Sequence, residues 1–334
     1  MRNGNGRNKA IGLCLQLLFC AWIALGATFT GSQAQQPTDG QQSNPENYRI
    51  RSMMAHGKYV FAGLYGYGEI YRSEDQGQSW KLMQSGVGKI VYKFGKAGET
   101  LFAGTLGGLY RSTDNGQTWD LVSNNGMSGL RGNAAAIGHN GKVFAGTDKG
   151  IYRSTDAGVT WTAAKNGLGD VAVHSLASMG KTVLAGTASG LFTSTDGGGS
   201  WQRAGDTGLP LGDVWDMVSI GKTLYACGTR AFMSSNEGQT WTELKYKSSS
   251  LLNTRSLAVV GETLFVGTRF KGIYRLTDSG LELADSGIPP RVQIFAMAGS
   301  GSVLLAGVYE EGIYRSSDLG QSSTMSNRGI SNSK

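Results

Sequence analysis

One ten-residue string returns along this chain at intervals near forty. It reads YRSEDQGQSW at 71–80, YRSTDNGQTW at 110–119, YRSTDAGVTW at 152–161, FTSTDGGGSW at 192–201 and FMSSNEGQTW at 232–241. Its acidic position falls at Asp75, Asp114, Asp156, Asp196, Asn236, Asp278 and Asp318, at intervals of 39, 42, 40, 40, 42 and 40 residues. Seven units of that length point to a solenoid or a propeller, not to a domain with one irregular core.

The unit itself decides between the two. The segments VAVHSLASM and KTVLAGT, then LFTS, then the box and the residues that follow Trp201, make four short apolar runs separated by Gly, Asn, Asp and Ser. Four antiparallel strands in about forty residues make one propeller blade. No stretch beyond the N-terminal segment sustains a 3.6-residue pattern, so almost no helix is expected. The predicted fold is all-β, a seven-bladed β-propeller with four antiparallel strands per blade. A content of 52 Gly against 5 Pro suits so many turns.

Within S-x-D-x-G-x-T-W, the Ser and Asp side chains can bond the backbone of a tight turn, and the Gly can take a left-handed conformation. Trp80, Trp119, Trp161, Trp201 and Trp241 are five of the seven tryptophans and occupy this one place. A repeated indole fills the widening wedge between blades, whereas a catalytic group would not be needed five times. The box is therefore read as a structural clip. LTDSGLEL at 276–283 lacks the Ser and the Trp, and SSDLGQSS at 316–323 has Ser323 at the Trp position. The last blades are expected to pack least well.

The string resembles the Asp-box of the BNR-repeat families, which include bacterial sialidases, sortilin-type receptors, xyloglucan-hydrolysing propellers and photosystem II assembly factors. The resemblance covers Tyr48 to Asn327. It implies box turns between the third and fourth strands of each blade, away from the ligand face. It says little about function, because enzymes and non-enzymes share the box.

The N-terminus predicts export. MRNGNGRNK is basic, AIGLCLQLLFCAWIALGATF is apolar, and Ser32-Gln33-Ala34 fits a small-x-small cleavage site. Residues 1–34 are read as a signal peptide cleaved after Ala34, 35–48 as a polar linker or closing segment, 49–328 as the propeller and 329–334 as a tail. The expected location is secreted or periplasmic, with membrane attachment only if the apolar segment stays uncleaved. Removing Arg2, Arg7 and Lys9 with that segment lowers the net charge from +7 to +4. The charges are dispersed, which argues against a nucleic-acid partner. Cleavage also leaves Cys227 as the lone cysteine, read as a buried structural thiol.

If the boxes are clips, function belongs to the opposite face. Aligning each blade's inner strand on the Gly of its following turn places Met53, Phe94, Ile137, Leu176, Met217, Leu257 and Met297 four residues earlier, a uniform apolar layer. Six residues earlier stand Arg51, Tyr92, Ala135, His174, Trp215, Arg255 and Phe295. Side chains that diverge while their neighbours keep the repeat are not required by the blade, and Arg, Trp and Tyr are typical binding anchors. Arg51, Tyr92, His174, Trp215, Arg255 and Phe295 are the ligand-binding candidates, with a plug of the central channel as the bland alternative. Arg49, Asp213 and Asp216 join them from the adjoining loops.

The preferred function is a non-catalytic binding or assembly scaffold, monomeric, for an extracytoplasmic protein or glycan. The alternative is a glycoside hydrolase of sialidase or xyloglucanase type. Tyr48-Arg49-Ile50-Arg51 resembles the sialidase Phe/Tyr-Arg-Ile-Pro motif except for its missing Pro, and Asp213 with Asp216 is the nearest carboxylate pair. No catalytic residue is assigned. No cofactor is expected, nor a metal, since His56, His139 and His174 do not recur at ligand spacing.

Overall fold

The computed structural model describes residues 48–122, 126–127, 130–132, 134–204, 208–209, 212–246 and 253–331. The expected signal peptide, its cleavage site and all of the closing segment but Tyr48 lie outside the described residues. Within them, 28 strands, β1 to β28 in chain order, form seven four-stranded antiparallel sheets. Each sheet takes its strands in sequence order. Blade 1 is β1 (Ile50–His56), β2 (Tyr59–Leu64), β3 (Ile70–Ser73) and β4 (Lys81–Gln84).

The short meander fixes the two faces. Every first strand runs toward the hairpin that carries the aligning Gly, and every third strand ends at the hairpin that carries the box in every blade but the sixth, so boxes and aligning hairpins share one face. The starts of the first strands, with Arg51 and its counterparts, lie on the other.

In blade 3 the Ser154 hydroxyl donates to Asp156 Oδ1 at 2.6 Å and accepts from the Gly158 N–H at 2.8 Å. Asp156 also accepts from the Thr160 N–H at 2.9 Å. The pattern repeats at Asp75, Asp114, Asp196 and Asp318. Asn236 keeps it with an amide, accepting from Ser234 Oγ at 2.9 Å and from the Thr240 N–H at 2.9 Å. Asp278 does not belong with them. Thr277 pairs directly with Gly280, and so tight a hairpin has no room for the box loop.

The boxes also join blades. All five box tryptophans are buried, and Trp119, Trp161 and Trp201 meet Phe61, Phe102 and Phe144 of the preceding blade edge to face, with centroids 6.1, 6.1 and 6.4 Å apart. The arginine of a Tyr-Arg pair near the end of the third strand adds a clamp that sequence reading missed. Arg72, Arg111, Arg153, Arg275 and Arg315 each donate to the carbonyl that follows the acid of the next box: Asn115, Ala157, Gly197, Leu319 and Gln76.

Arg315 to Gln76 closes the ring. The fourth strand of blade 7 comes from the C-terminal end of the propeller, as β28 (Thr324–Met325), not from the segment 35–48. The residues beyond it then copy an ordinary connection between blades. The Trp80 indole N–H donates to Ser326 O at 2.9 Å and its backbone N–H to Arg328 O at 2.8 Å. Trp201 makes the same two bonds to Ala164 O and Asn166 O, at 2.7 and 2.8 Å. Gly329 and Gly167 both have positive φ, and a Cβ would lie 2.0 and 2.1 Å from the carbonyl oxygens of Trp80 and Trp201. Ile330, within the stretch read as a tail, is buried against Tyr48, Ile50 and Trp80. Tyr48 itself bridges to Glu310 and Glu311 of blade 7.

The box bonds make a pH prediction. The Ser154 and Thr160 hydroxyls hold the Asp156 carboxyl well below its ordinary value of 3.8. The unfolded chain therefore binds the proton more readily. The stabilisation is present above that value and is lost as pH falls through the folded pKa. Asp156→Asn, which gives blade 3 the amide that Asn236 already supplies in blade 5, is expected to flatten the fall in Tm between about pH 4 and about pH 2. A melting series over that range checks it, and an unchanged acid slope contradicts it.

Candidate functional site

The divergent residues sit on a repeated irregularity of the backbone. In blade 1, Ile50 pairs with Leu64 but Ser52 with Gly63, so Arg51 is an extra residue in the strand. The same slip leaves out Tyr92, His174, Arg255 and Phe295 in β5 (Val91–Ala97), β13 (Val173–Met179), β21 (Thr254–Val260) and β25 (Ile294–Ser300). A bulge re-aims a side chain that regular alternation would place elsewhere. Each of these five joins the lining of one cavity of about 190 Å³ at the mouth of the central channel. Trp215, just ahead of β17 (Asp216–Ile220), joins them. Met53 and Met297 of the uniform layer complete the apolar part of the lining. The side chain of Ala135 lies outside the described residues.

The polar and aromatic groups form a belt in ring order. The Arg51 guanidinium lies 5.9 Å from the Tyr92 ring and 5.1 Å from the Phe295 ring, and Arg255 lies 5.7 Å from Phe295 and 3.6 Å from Trp215. His174 stacks on Trp215 with centroids 4.3 Å apart and bonds Asp213 Oδ1 at 3.2 Å. The belt thus passes through blades 2, 1, 7, 6, 5 and 4. Burial lowers the Arg51 guanidinium; burial and then the charge of Arg51 push Arg255 down to about 10. Both remain cationic at neutral pH. Burial also holds His174 below its ordinary value, against the pull of Asp213, and so favours the neutral ring.

A second pair spans the channel. Lys93 of blade 2 donates to Asp216 of blade 5, and Asp216 also accepts from the Leu257 N–H and the Met217 N–H, each at 3.0 Å. Lys93 was not among the sequence candidates, although a signal existed. Ser52, Ser175 and Ser256 occupy the corresponding place and bond a carbonyl of the next blade; Lys in one blade and Asp in another depart from that pattern with opposite charge. The pair takes up Asp216 and joins distant blades, as a channel plug would, yet the cavity remains beside it.

Arg49 stands apart on the rim, 3.9 Å from Glu310 and between the rings of Tyr65 and Tyr309 at 5.7 and 5.9 Å. Cys227 is buried behind Asp216, and desolvation pushes its thiol up, away from nucleophilic chemistry. Among the described residues no group of three or more His, Cys, Asp or Glu is placed to hold a metal ion.

The fold is that of a β-propeller. A family model described as the DUF6242 beta propeller domain matches residues 104–223, less than half of the chain. No curated protein matches it. Solved structures similar to this propeller include a GH74 xyloglucanase from Xanthomonas campestris, with a TM-score of 0.63 and 16% identity over 85% of this chain and 55% of that one. YCF48 bound to D1 peptide has a TM-score of 0.59 and 16% identity over 81% and 92%. PorZ, a surface component of the type-IX secretion system of Porphyromonas gingivalis, has a TM-score of 0.57 and 15% identity over 83% and 38%. The propeller spans about half the length of the xyloglucanase and less of PorZ. At these identities the likeness is one of fold.

Proposed function

We propose that this chain is an exported, monomeric, non-catalytic binding or assembly scaffold of the Asp-box type, which takes an acidic protein or glycan at the channel mouth opposite its boxes. One observation carries the reading. Arg51 and Arg255 flank the Phe295 ring and face a cavity, and among the described residues neither forms a salt bridge, although the charge of Asp213 reaches Arg255. Two like charges brought together without a bonded counter-ion favour an incoming anion, and the low-dielectric aromatic walls strengthen that attraction. The likeness in fold to YCF48 bound to D1 peptide and to PorZ, a bacterial surface component of a secretion system, supports the reading.

Trp215→Ala and Arg255→Ala are each expected to weaken binding by about 2 kcal/mol or more, as anchors of these types do, and the Arg255 contribution should shrink as salt rises. Both should unfold at higher denaturant than Met217→Ala, which strips a buried side chain (6% exposed). Calorimetric titration with acidic peptides and sialylated glycans, beside denaturant unfolding, measures both effects; unaltered binding in the two variants returns the belt to a plug. The hydrolase reading draws on the xyloglucanase likeness and demands that Asp213→Asn or Arg49→Ala abolish turnover of a β-glucan or sialoside. Against it, Asp216 already accepts from Lys93 and two backbone N–H groups, which leaves its oxygens little capacity to serve a substrate.

A further inference from the structure

Which acidic group the belt takes rests on the channel-mouth reading above and follows from its hydrogen-bonding capacity. A sugar ring carries hydroxyls that must donate as well as accept, so a sugar site supplies acceptors to match. Here accessible acceptors are few. Asp216 serves Lys93 and two backbone N–H groups. Ser52 and Ser256 give their hydroxyl hydrogens to Val91 O and Ile294 O and are buried, so the lone pairs they keep are poorly exposed to a ligand. The better-placed side-chain acceptors for a ligand hydroxyl are the Tyr92 phenol and one ring nitrogen of His174.

The donors are in surplus. Neither guanidinium donates a hydrogen bond to any described residue, and each carries five N–H groups in a rigid fork. The bases lining the cavity are Arg51, Lys93 and Arg255, against one acid, Asp216, which Lys93 already neutralises. Two unengaged forks match a group that only accepts and offers its lone pairs in one plane. The remaining walls, Met53, Met297, Phe295 and Trp215, are apolar, so the atoms behind that anion should be hydrocarbon rather than polyol.

Beyond the mouth the surface continues in the same chemistry. Tyr65 and Tyr67 on blade 1 and Phe270 on blade 6 are about half exposed, with Arg49 beside Tyr65 and Arg269 5.3 Å from the Phe270 ring. These blades flank Phe295 in the ring, so a ligand seated between Arg51 and Arg255 would emerge over a rim of aromatic and basic side chains. A small free acid has no use for such a rim; an extended chain does.

We infer that the cavity receives the free C-terminal carboxylate of a polypeptide, seated between Arg51 and Arg255 with an apolar terminal side chain against Phe295 and Trp215, while the preceding residues lie over the rim. The test uses the full chain and a mixture of acetylated tetrapeptides ending in Leu, Val or Phe, prepared as free acids and as amides, with N-acetylneuraminic acid and inorganic phosphate as further probes. The free acids are expected to bind saturably, and amidation to weaken them by about tenfold or more, the loss of a little over 1 kcal/mol from a charge-assisted pair. Arg255→Lys, which keeps charge but loses the fork, should remove most of the preference for acid over amide; Arg51→Gln provides an independent second arm if one variant folds poorly.

Equal binding of acids and amides would overturn the carboxylate inference and leave the channel-mouth reading standing. Tighter binding of the sugar acid or of phosphate than of any peptide would do the same. Binding of no probe, or peptide binding indifferent to Trp215→Ala, would bring down both.

Discussion

Trp161→Ala is expected to cost roughly 3–5 kcal/mol of folding stability while leaving ligand binding by the folded protein unchanged. The indole is 3% exposed and meets Phe102 of the preceding blade edge to face, so its removal opens a cavity between two blades that the backbone cannot close. The site lies on the opposite face and shares no side chain with this contact. A companion pair of variants isolates the ring from its N–H. Among the described residues the buried Trp161 Nε1 has no hydrogen-bond partner, whereas the Trp201 Nε1 donates to Ala164 O at 2.7 Å. Trp201→Phe should therefore lose about 1 kcal/mol that Trp161→Phe does not. Denaturant unfolding and titration on the same samples read all three. A Trp161→Ala protein that keeps its midpoint but loses ligand would place the box, not the belt, at the functional surface.

A comparable loss is expected from Gly158→Ala, a change of one methyl. Gly158 has φ +84°, and a Cβ there would stand 2.6 Å from the Phe102 ring. The left-handed conformation alone costs about 1 kcal/mol in a residue with a side chain, and forcing the ring aside costs about 1–3 kcal/mol more. Gly57→Ala provides the control. Its φ is +57°, but nothing lies within 4 Å, so only the conformational part should appear. Combining Gly158→Ala with Phe102→Leu should cost less than the sum of the two single changes, because the clash is shared. Strict additivity in that cycle would deny that the box glycine is selected by the neighbouring blade.

How legible was all this in the sequence? Period and box composition carry the blade count, the strand count and the burial of the five tryptophans, because each depends on chemistry within one repeat. Asp278 fails as a box residue for a reason visible in its own neighbours, which lack Ser and Trp. The belt was legible only as divergence within a layer. The aim of its side chains was not, since the bulges at Arg51, Tyr92, His174, Arg255 and Phe295 are set by pairing with the second strand. Contacts that cross the ring were hidden further. Lys93 and Asp216 are 123 residues apart, and no periodicity predicts which positions face each other across a channel. The arginines of the Tyr-Arg pairs repeat plainly, yet their partners are backbone carbonyls of the next blade, which no side-chain pattern marks.

The junction between the last blade and the first has a consequence for how the chain could be arranged. Arg315 to Gln76, Trp80 to Ser326 and Gly329 against Trp80 are the same contacts that Arg153, Trp201 and Gly167 make between blades 3 and 4. Among the described residues no strand is exchanged to fasten the ends, so the order of blades along the polypeptide is separable from their order around the axis. A circular permutant that joined residue 331 to residue 48 and opened at the connection around Gly167 would retain every bond between blades except those of the linker it cut. The belt would be unaffected in kind, because Arg51, Phe295 and Arg255 meet across the present junction and would then be neighbours in one continuous stretch of chain.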